Sequence, residues 1–380
     1  MLLLPGPVDV PDEVLKASAY VQNHRSDEFR DIVRSSSDLL NRFADSSASV
    51  ITTGSGTTAV ESMLYSMTSR NEGVLAVTFG EFGGRLVESL NRHGCNVKVM
   101  EKSYSDTLEP GEIADYISKN KEIKTVCLIH NETGNGTSIY NLREAAREAK
   151  NLGMKVLVDS VSGFGSLEVK ANSWGIDAIA SCSQKGLASV PGLGMVSISE
   201  EGLGYVLESA DVPKYMDLSV SLKFLDKDET PYTPSTGSFN ALYTALKILE
   251  REGIENRWKR HSAAAEFVRE QIISTGSRMY GTPANYSNTV LAFEPPVPVK
   301  KVQGDMKAAG IQVSKGMKSF ADKMVRVGLL GVVDSEKISA FLNTYFRSVG
   351  SETRVDPSSV PEEASFNKEI LEGISEEVRS

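Results

Sequence analysis

The feature that most constrains the fold is a regular alternation of short apolar runs with amphipathic stretches over the first two thirds of the chain. Seven runs have the length and character of buried strands: ASVITT (48–53), GVLAVTF (73–79), NVKVM (96–100), TVCLIH (125–130), KVLVDS (155–160), DAIASCS (177–183) and GMVSIS (194–199). Between several of them lie helical patterns such as TTAVESMLYSM and NLREAAREAKNLG. This alternation predicts an α/β fold in which a mainly parallel sheet lies between helices.

The pattern changes near residue 240, where a long helical region begins that has a break near Gly253. The segments SNTVLAFEP and KMVRVGLLG then have the pattern of strands in a smaller α+β domain. We therefore predict an N-terminal segment near the functional site (1–14), a large domain (15–240), a small C-terminal domain (241–350) and an acidic C-terminal extension (351–380). Within the extension, SSVPEEAS suggests a linker and FNKEILEGISEEV a flexible or surface-docked acidic helix.

Charge and composition exclude several classes of protein. The net charge of -9 argues against a nucleic-acid surface, which needs a basic stripe. No apolar run reaches the roughly 20 residues that span a bilayer, and MLLLPGPVDVP lacks the basic start of a signal peptide. Cys95, Cys127 and Cys182 are widely spaced without a CxxC motif, which favours a reduced, cytoplasmic protein. The four histidines show no ligand spacing, so we expect no metal site.

Three strand ends carry residues that suit ligand binding, because ligands of such sheets bind beyond the carboxyl ends of the strands. In ITTGSGTTAVE, small and hydroxyl residues lead from a strand into a helix, where a phosphate can approach backbone N–H groups. Asp159 ends the apolar strand VLVD, and Lys185 follows a later strand among small and apolar residues. Each feature alone has an ordinary explanation, namely a structural turn, a capping carboxylate and a solvated lysine.

Together, the three features match the anchors of pyridoxal 5′-phosphate. The lysine amine forms a Schiff base with the aldehyde of that cofactor. The carboxylate keeps the pyridine nitrogen protonated, so that the ring accepts electrons from a substrate carbanion. The anion cradle binds the phosphate. The sequence therefore predicts a pyridoxal phosphate enzyme.

Eight short motifs, in the same order as in a known family, give the chain a resemblance to class V aminotransferases. The match is closest to the alanine–glyoxylate and serine–pyruvate aminotransferase branch and covers most of residues 1–345. The motifs are LLLPGP, GSGTTAVE, GEFGGR, HNETGNG, VDSVSGFG, SQKG, YTPST and VRVGLLG. The resemblance implies the pyridoxal phosphate-dependent transferase fold type I, with a mainly parallel sheet in the large domain, and a homodimer whose active sites lie at the subunit interface.

The resemblance also implies roles for individual residues. Lys185 and Asp159 take the catalytic roles, with Lys185 moving the proton between the substrate Cα and the cofactor. The cofactor-binding residues are Ser55, Gly56, Thr57, Phe82, Thr133, Asp159, Val161, Gln184, Lys185 and Thr233. Thr233 is implied to reach the phosphate of the neighbouring subunit. Phe82 and Val161 are implied to lie on opposite faces of the ring, although many relatives carry tryptophan at the Phe82 position.

The implied reaction is a ping-pong transfer of an amino group from a small amino acid, alanine or serine, to a 2-oxo acid, glyoxylate or pyruvate. Arg326 in VRVGLLG matches the arginine that binds the substrate α-carboxylate, a task that suits a planar guanidinium. Two departures from the family are a glycine and an asparagine in HNETGNGT, where relatives often have small hydroxyl residues, and the long tail after residue 350.

Other reactions of the same fold remain open. An aspartate or 2-aminoethylphosphonate aminotransferase would need a second cation, for which Arg25 in NHRSDEF is a candidate. A cysteine desulfurase-like lyase would place histidines where this chain has Phe82 and Gln184, and a cysteine between residues 300 and 330, where there is none. A relative that has lost its cofactor is disfavoured because every anchor is present.

Overall fold

The computed structural model describes residues 1–208 and 211–378. The strands are β1 (Ala48–Thr53), β2 (Gly73–Thr78), β3 (Asn96–Glu101), β4 (Ile123–Ile129), β5 (Asn131–Glu132), β6 (Thr137–Ser138), β7 (Lys155–Asp159), β8 (Ala178–Cys182), β9 (Leu193–Ile198), β10 (Arg278–Met279), β11 (Val290–Glu294), β12 (Ser314–Lys315) and β13 (Val325–Gly328). The α-helices are α1 (Asp12–Ser18), α2 (Asp27–Ala44), α3 (Gly56–Met67), α4 (Glu81–His93), α5 (Glu112–Lys119), α6 (Leu142–Asn151), α7 (Ala171–Trp174), α8 (Glu200–Leu203), α9 (Leu218–Leu225), α10 (Thr236–Glu252), α11 (Ile254–Ile273), α12 (Val299–Ala308), α13 (Ser335–Ser348) and α14 (Ile374–Glu377). Short 3-10 helices cover Lys214–Met216, Lys318–Phe320, Pro357–Ser359, Glu362–Ala364 and Lys368–Leu371.

Within the described residues, the main sheet has seven strands in the order β1-β9-β8-β7-β4-β2-β3. Strand β9 alone is antiparallel to the other strands of this sheet: it pairs antiparallel with both β1 and β8, and the remaining pairs are parallel. The α/β fold class and all seven predicted strands are confirmed, and the strand ends agree with the sequence prediction within two residues. Strands β2 and β8 are buried along their whole length, and β7 is buried after Lys155, which explains why these segments have the pattern of continuous apolar runs.

Helices cover both faces of the main sheet. One face packs against apolar residues of α2, α6 and α10, including Phe29, Leu142 and Phe239. The other face packs against α3 and α4, through residues such as Met63 and Leu90. Because both faces are buried, the open edge at the carboxyl ends of the strands is where polar side chains can gather around a ligand.

A second, antiparallel sheet has the order β10-β11-β13-β12 and packs with α12 and α13 around a separate hydrophobic cluster. The start of the chain joins this sheet, since the Gly328 N–H donates to the Leu3 carbonyl at 2.9 Å. The chain then passes Lys185. Gly6 has a φ of +119°, and a Cβ there would lie 2.8 Å from Lys185 Cγ, so a side chain would be both strained and too close.

The C-terminal extension is docked on the body of the protein over its described part, and its residues 379 and 380 lie outside the described residues. The segment SSVPEEAS does not form the predicted linker, because it folds into short 3-10 turns that bury Val360 and Ala364. Further along, Phe366 is 4% exposed and its N–H donates to the Val333 carbonyl at 3.0 Å. In the described part of the chain, no helix has the length and apolarity needed to cross a membrane.

Candidate active site

The predicted site residues converge at the carboxyl edge of the main sheet. Asp159 is the last residue of β7, and Lys185 lies three residues beyond the end of β8. Ser55 precedes α3 just after β1, Phe82 lies in the first turn of α4 after β2, and Thr133 follows the short strand β5. Since β1, β2, β7 and β8 run in the same direction in the main sheet, their carboxyl ends bring residues from distant parts of the sequence to one edge.

Lys185 is 8% exposed, which is unusual for a lysine. Its Nζ donates to Thr133 Oγ1 at 3.3 Å and lies 5.3 Å from the centroid of the Phe82 ring. Burial lowers the pKa of Lys185, and the nearby charge of Asp159 opposes this only in part. Among the described residues, no carboxylate lies within ion-pair distance of it. A buried amine of this kind is poised to react as a neutral nucleophile or base.

Asp159 is also 8% exposed, and the only hydrogen bond of its side chain within the described residues is the one that the Val161 N–H donates to Asp159 Oδ1 at 2.9 Å. Burial raises the pKa of Asp159, while the Val161 N–H and the charge of Lys185 lower it. In residues 1–208 and 211–378, no cationic side chain forms an ion pair with it. A buried carboxylate without a cation can hold a protonated nitrogen of a ligand.

Arg326 on β13 comes from the second sheet and is 9% exposed. Its Nε donates to the Lys315 carbonyl and its Nη1 to the Thr133 carbonyl, both at 3.0 Å. Burial lowers the pKa of Arg326, and no described carboxylate pairs with its guanidinium. Thr133 thus contacts Lys185 through its hydroxyl and Arg326 through its carbonyl, and so links the two cations.

The turn before α3 is where the sequence predicts an anion cradle. Ser55 and Thr57 are exposed at the start of the helix, and the Ser55 N–H donates to Thr58 Oγ1 at 3.1 Å. Gly56 is buried, and a Cβ there would lie 2.6 Å from Val161 Cγ1. This close approach requires glycine and places the cradle directly beside Val161, two residues after Asp159.

Three further predicted residues have other surroundings. Gln184 precedes Lys185 and is half-buried, with its Oε1 accepting a hydrogen bond from the Ser183 hydroxyl at 3.4 Å. Thr233 is exposed just before α10. Arg25 pairs with Glu229 Oε2 at 2.6 Å and lies over the Phe224 ring, so its charge is already partnered within the chain.

Sequence reasoning missed Glu132, which immediately precedes Thr133. This carboxylate is 1% exposed and accepts backbone N–H groups from Phe82, Gly83 and Gly134. Burial raises the pKa of Glu132 to about 7, although the three N–H groups lower it in part. The available signal was an acidic residue at the end of a buried strand, within the motif HNETGNG.

The unpaired groups define which ligand the site fits. A carbonyl that reacts with the amine of Lys185 and a protonated ring nitrogen that faces Asp159 would each satisfy a group that has no ionic partner among the described residues, and the start of α3 would suit a phosphate. The residues therefore fit pyridoxal phosphate. No group of three histidine, cysteine, aspartate or glutamate side chains in the described residues is arranged to hold a metal ion.

Comparisons with known proteins agree with this geometry. The family model described as aminotransferase class-V matches residues 13–341. An uncharacterized aminotransferase of Methanocaldococcus jannaschii is 31% identical, with 90% of each chain covered. A serine–glyoxylate aminotransferase of Hyphomicrobium methylovorum is also 31% identical, over 90% of this chain and 87% of that one. The crystal structure of an aspartate aminotransferase of subgroup IV from Thermus thermophilus superposes with a TM-score of 0.85 at 28% identity, covering 92% of this chain and 99% of that one.

Proposed function

Because the chain belongs to the class V aminotransferase family, we propose that it transfers an amino group from a small amino acid, alanine or serine, to glyoxylate or pyruvate. The cofactor of this aminotransferase is pyridoxal 5′-phosphate. The observation that carries the proposal is that Lys185, Asp159 and Arg326 are buried together, each without an ionic partner among the described residues. The serine–glyoxylate relative supports the choice of substrates.

The chain's own residues would hold the cofactor at the sheet edge. When bound, the cofactor supplies an aldehyde that captures amines and a ring that accepts electrons. We assign the amine to Lys185, the partner of the ring nitrogen to Asp159 and the hydroxyl near the ring oxygen to Thr133. The two ring faces are assigned to Phe82 and Val161. The phosphate is assigned to Ser55, Gly56 and Thr57, with Gln184 nearby and Thr233 contributed by the neighbouring subunit.

In this proposal, Lys185 is the group that moves the proton. Its lowered pKa increases the fraction of neutral amine, which can take a proton from the substrate Cα and deliver it to the cofactor carbon that carried the aldehyde, before the 2-oxo acid is released. The hydrogen bond between Lys185 Nζ and Thr133 Oγ1 keeps the amine at the centre of the site. Burial also excludes water, which would otherwise compete for that proton.

Arg326 would hold the α-carboxylate of the substrate. Two of its nitrogens are anchored by the carbonyls of Lys315 and Thr133, which sets the plane of the guanidinium. The remaining N–H groups are then available for two parallel hydrogen bonds to a carboxylate. Binding at this point orients the Cα of the substrate toward Lys185 and serves amino acids and 2-oxo acids alike, because both carry that carboxylate.

A homodimer in the cytoplasm is part of the same proposal. Thr233 is exposed in the single chain, beside the exposed and mutually stacked rings of Tyr215 and Tyr232. Exposed aromatic residues are typical of protein interfaces. Light scattering of the purified holoenzyme should give twice the mass of one chain. The three cysteines are buried and free, which is compatible with a reducing compartment.

The proposal is tested by presenting the holoenzyme with L-alanine, L-serine, L-aspartate and 2-aminoethylphosphonate in turn. We expect alanine or serine to change the visible absorbance of the bound cofactor and to release its 2-oxo acid, measured by mass spectrometry. Addition of glyoxylate or pyruvate should then restore the original spectrum. If only the acidic donors react, the enzyme is instead an acidic amino-acid aminotransferase, as the name of the Thermus neighbour suggests. L-cysteine is presented as a fifth compound, and release of its sulfur without amino transfer would favour the lyase.

A further inference from the structure

The buried carboxylate of Glu132 joins two segments that both contribute to the site. Its Oε2 accepts the N–H groups of Phe82 and Gly83, at 3.0 and 3.1 Å, in the first turn of α4. Its Oε1 accepts the Gly134 N–H at 2.7 Å, in the loop that follows β5. The carboxylate therefore ties the start of α4 to the loop that carries Thr133.

The backbone approaches the Glu132 side chain closely at two glycines. A Cβ at Gly80 would lie 3.0 Å from Glu132 Cγ, and a Cβ at Gly134 would lie 2.7 Å from Glu132 Oε1. Glycines on both sides thus permit the close approach of the backbone to this side chain. A change in the length or charge of Glu132 must therefore be transmitted to the two segments that it joins.

Each of those segments places a group against a charged residue of the site. The Phe82 ring lies 5.3 Å from Lys185 Nζ. Thr133 accepts from Lys185 Nζ through its hydroxyl and from Arg326 Nη1 through its carbonyl. We propose that Glu132 is a positioning residue, which holds the Phe82 ring and both oxygens of Thr133 in position around Lys185 and Arg326.

A comparison within the molecule separates this role from ordinary helix capping. Glu148 also accepts two backbone N–H groups at a helix start, those of Gly111 and Ala114 around the beginning of α5, but Glu148 is only half-buried. A half-buried carboxylate is adequate for capping, whereas full burial of a carboxylate without a basic partner carries a large desolvation cost. Burial raises the pKa of Glu132 to about 7, in line with that cost. Glu132 carries this cost at a helix start that includes Phe82, a predicted site residue.

The inference rests on the proposed function and is tested with holoenzymes of the wild type, E132Q and the matched variant E148Q. Each is measured for thermal stability, for the visible circular dichroism of the bound cofactor, for cofactor dissociation and for kcat and KM. We expect E132Q to change the circular dichroism band, to weaken cofactor retention and to lower kcat/KM by roughly 10- to 100-fold, as expected for a shift of reacting groups by about 1 Å. E148Q should lose stability while keeping the wild-type band and kcat/KM.

If E132Q loses only stability, with the band and kcat/KM within about twofold of the wild type, Glu132 is a structural cap and the inference is wrong. Should E132Q fail to fold, E132D is measured in the same way, since it keeps both oxygens but draws them back by one methylene. An altered band in E132D supports positioning, and an unchanged band with unchanged kinetics contradicts it. The circular dichroism and cofactor dissociation need no substrate, so they test Glu132 even if the wild type fails to transfer amino groups from the donors named above.

Discussion

Two groups of buried charge in this protein differ in how they are partnered. The first, which we call the Glu252 cluster, consists of Glu252, Arg257 and Arg260, none of which is more than 8% exposed. Arg257 Nε and Arg260 Nε each donate to Glu252 at 2.6 Å. Arg257 Nη1 also donates to the carbonyl of Gly186, which is next to Lys185, and Arg260 Nη2 donates to the carbonyl of Gly331. The Glu252 cluster therefore connects the lysine loop to the loop beyond β13.

The second group, which we call the Lys185 site, consists of Lys185, Asp159 and Arg326. These residues are buried to a similar degree, yet among the described residues none of them forms an ion pair. A buried charge without a partner costs stability, whereas a buried pair loses stability mainly when one partner is removed. The comparison teaches that pairing, rather than burial, separates the charges that hold this fold together from those that are kept free for a ligand.

The largest effect is expected from replacing the lysine, in the variant K185M. Methionine keeps the length and apolar volume of the side chain but removes the amine, so activity should fall by roughly 10³-fold or more. Stability of the cofactor-free protein should stay unchanged or increase, because an unpaired buried cation is removed. Initial rates and thermal unfolding of the same preparation check both parts.

Lys155 provides the matched control, since it is 12% exposed but pairs with Glu72 at 3.1 Å. The K155M variant should remain active and lose about 1–3 kcal/mol of unfolding free energy, because Glu72 is left without its partner. If K185M is destabilised as much as K155M, the Lys185 amine contributes to the fold and the contrast between the two groups is wrong.

The next largest effect is expected from E252Q, which leaves Arg257 and Arg260 without their counter-charge. Such a loss in a buried network typically costs about 3–5 kcal/mol. The control is E250Q on the same helix, because Glu250 pairs with Lys247 at 2.6 Å but is 30% exposed, and its loss should cost less than about 1 kcal/mol. Denaturant unfolding of the two variants gives the comparison, and equal losses would contradict it.

Acid unfolding gives a second measure of the Glu252 cluster. Burial acts to raise the pKa of Glu252, but the two arginines outweigh it and lower that pKa from 4.5 to about 2. The carboxylate therefore contributes its full stability above about pH 4.5, and this contribution, roughly 3 kcal/mol, is lost as the pH falls from 4.5 toward 2. The stability of E252Q should depend less on pH across that window than the stability of the wild type.

The same contrast explains what could be read from the sequence. The main-sheet strands were predictable because apolar runs mark buried strands, and so was the position of Asp159 and Lys185 at the carboxyl ends of β7 and β8. Glu132 and the Glu252 cluster were missed, because their significance depends on partners that are brought together by packing. Glu252 and Arg260 pair within one helical region, but Gly186, which Arg257 contacts, lies more than 60 residues from them in the sequence. For the tail, the sequence left a flexible and a surface-docked helix both open, because its polar composition concealed a few buried residues, such as Phe366.

Of the variants K185M, E252Q and R326K, the smallest effect is expected from R326K, which keeps the positive charge but removes the planar guanidinium. Lysine cannot be anchored by the carbonyls of Lys315 and Thr133 and also offer two parallel hydrogen bonds, so KM should rise and kcat/KM should fall about 10- to 100-fold. The control is R278K, because Arg278 lies in the same sheet but is exposed and paired with Glu294. Steady-state kinetics should show R278K unchanged. If R326K keeps the wild-type KM for both the amino acid and the 2-oxo acid, the Arg326 guanidinium does not bind the substrate carboxylate. Another ligand must then account for a buried arginine without an ionic partner among the described residues.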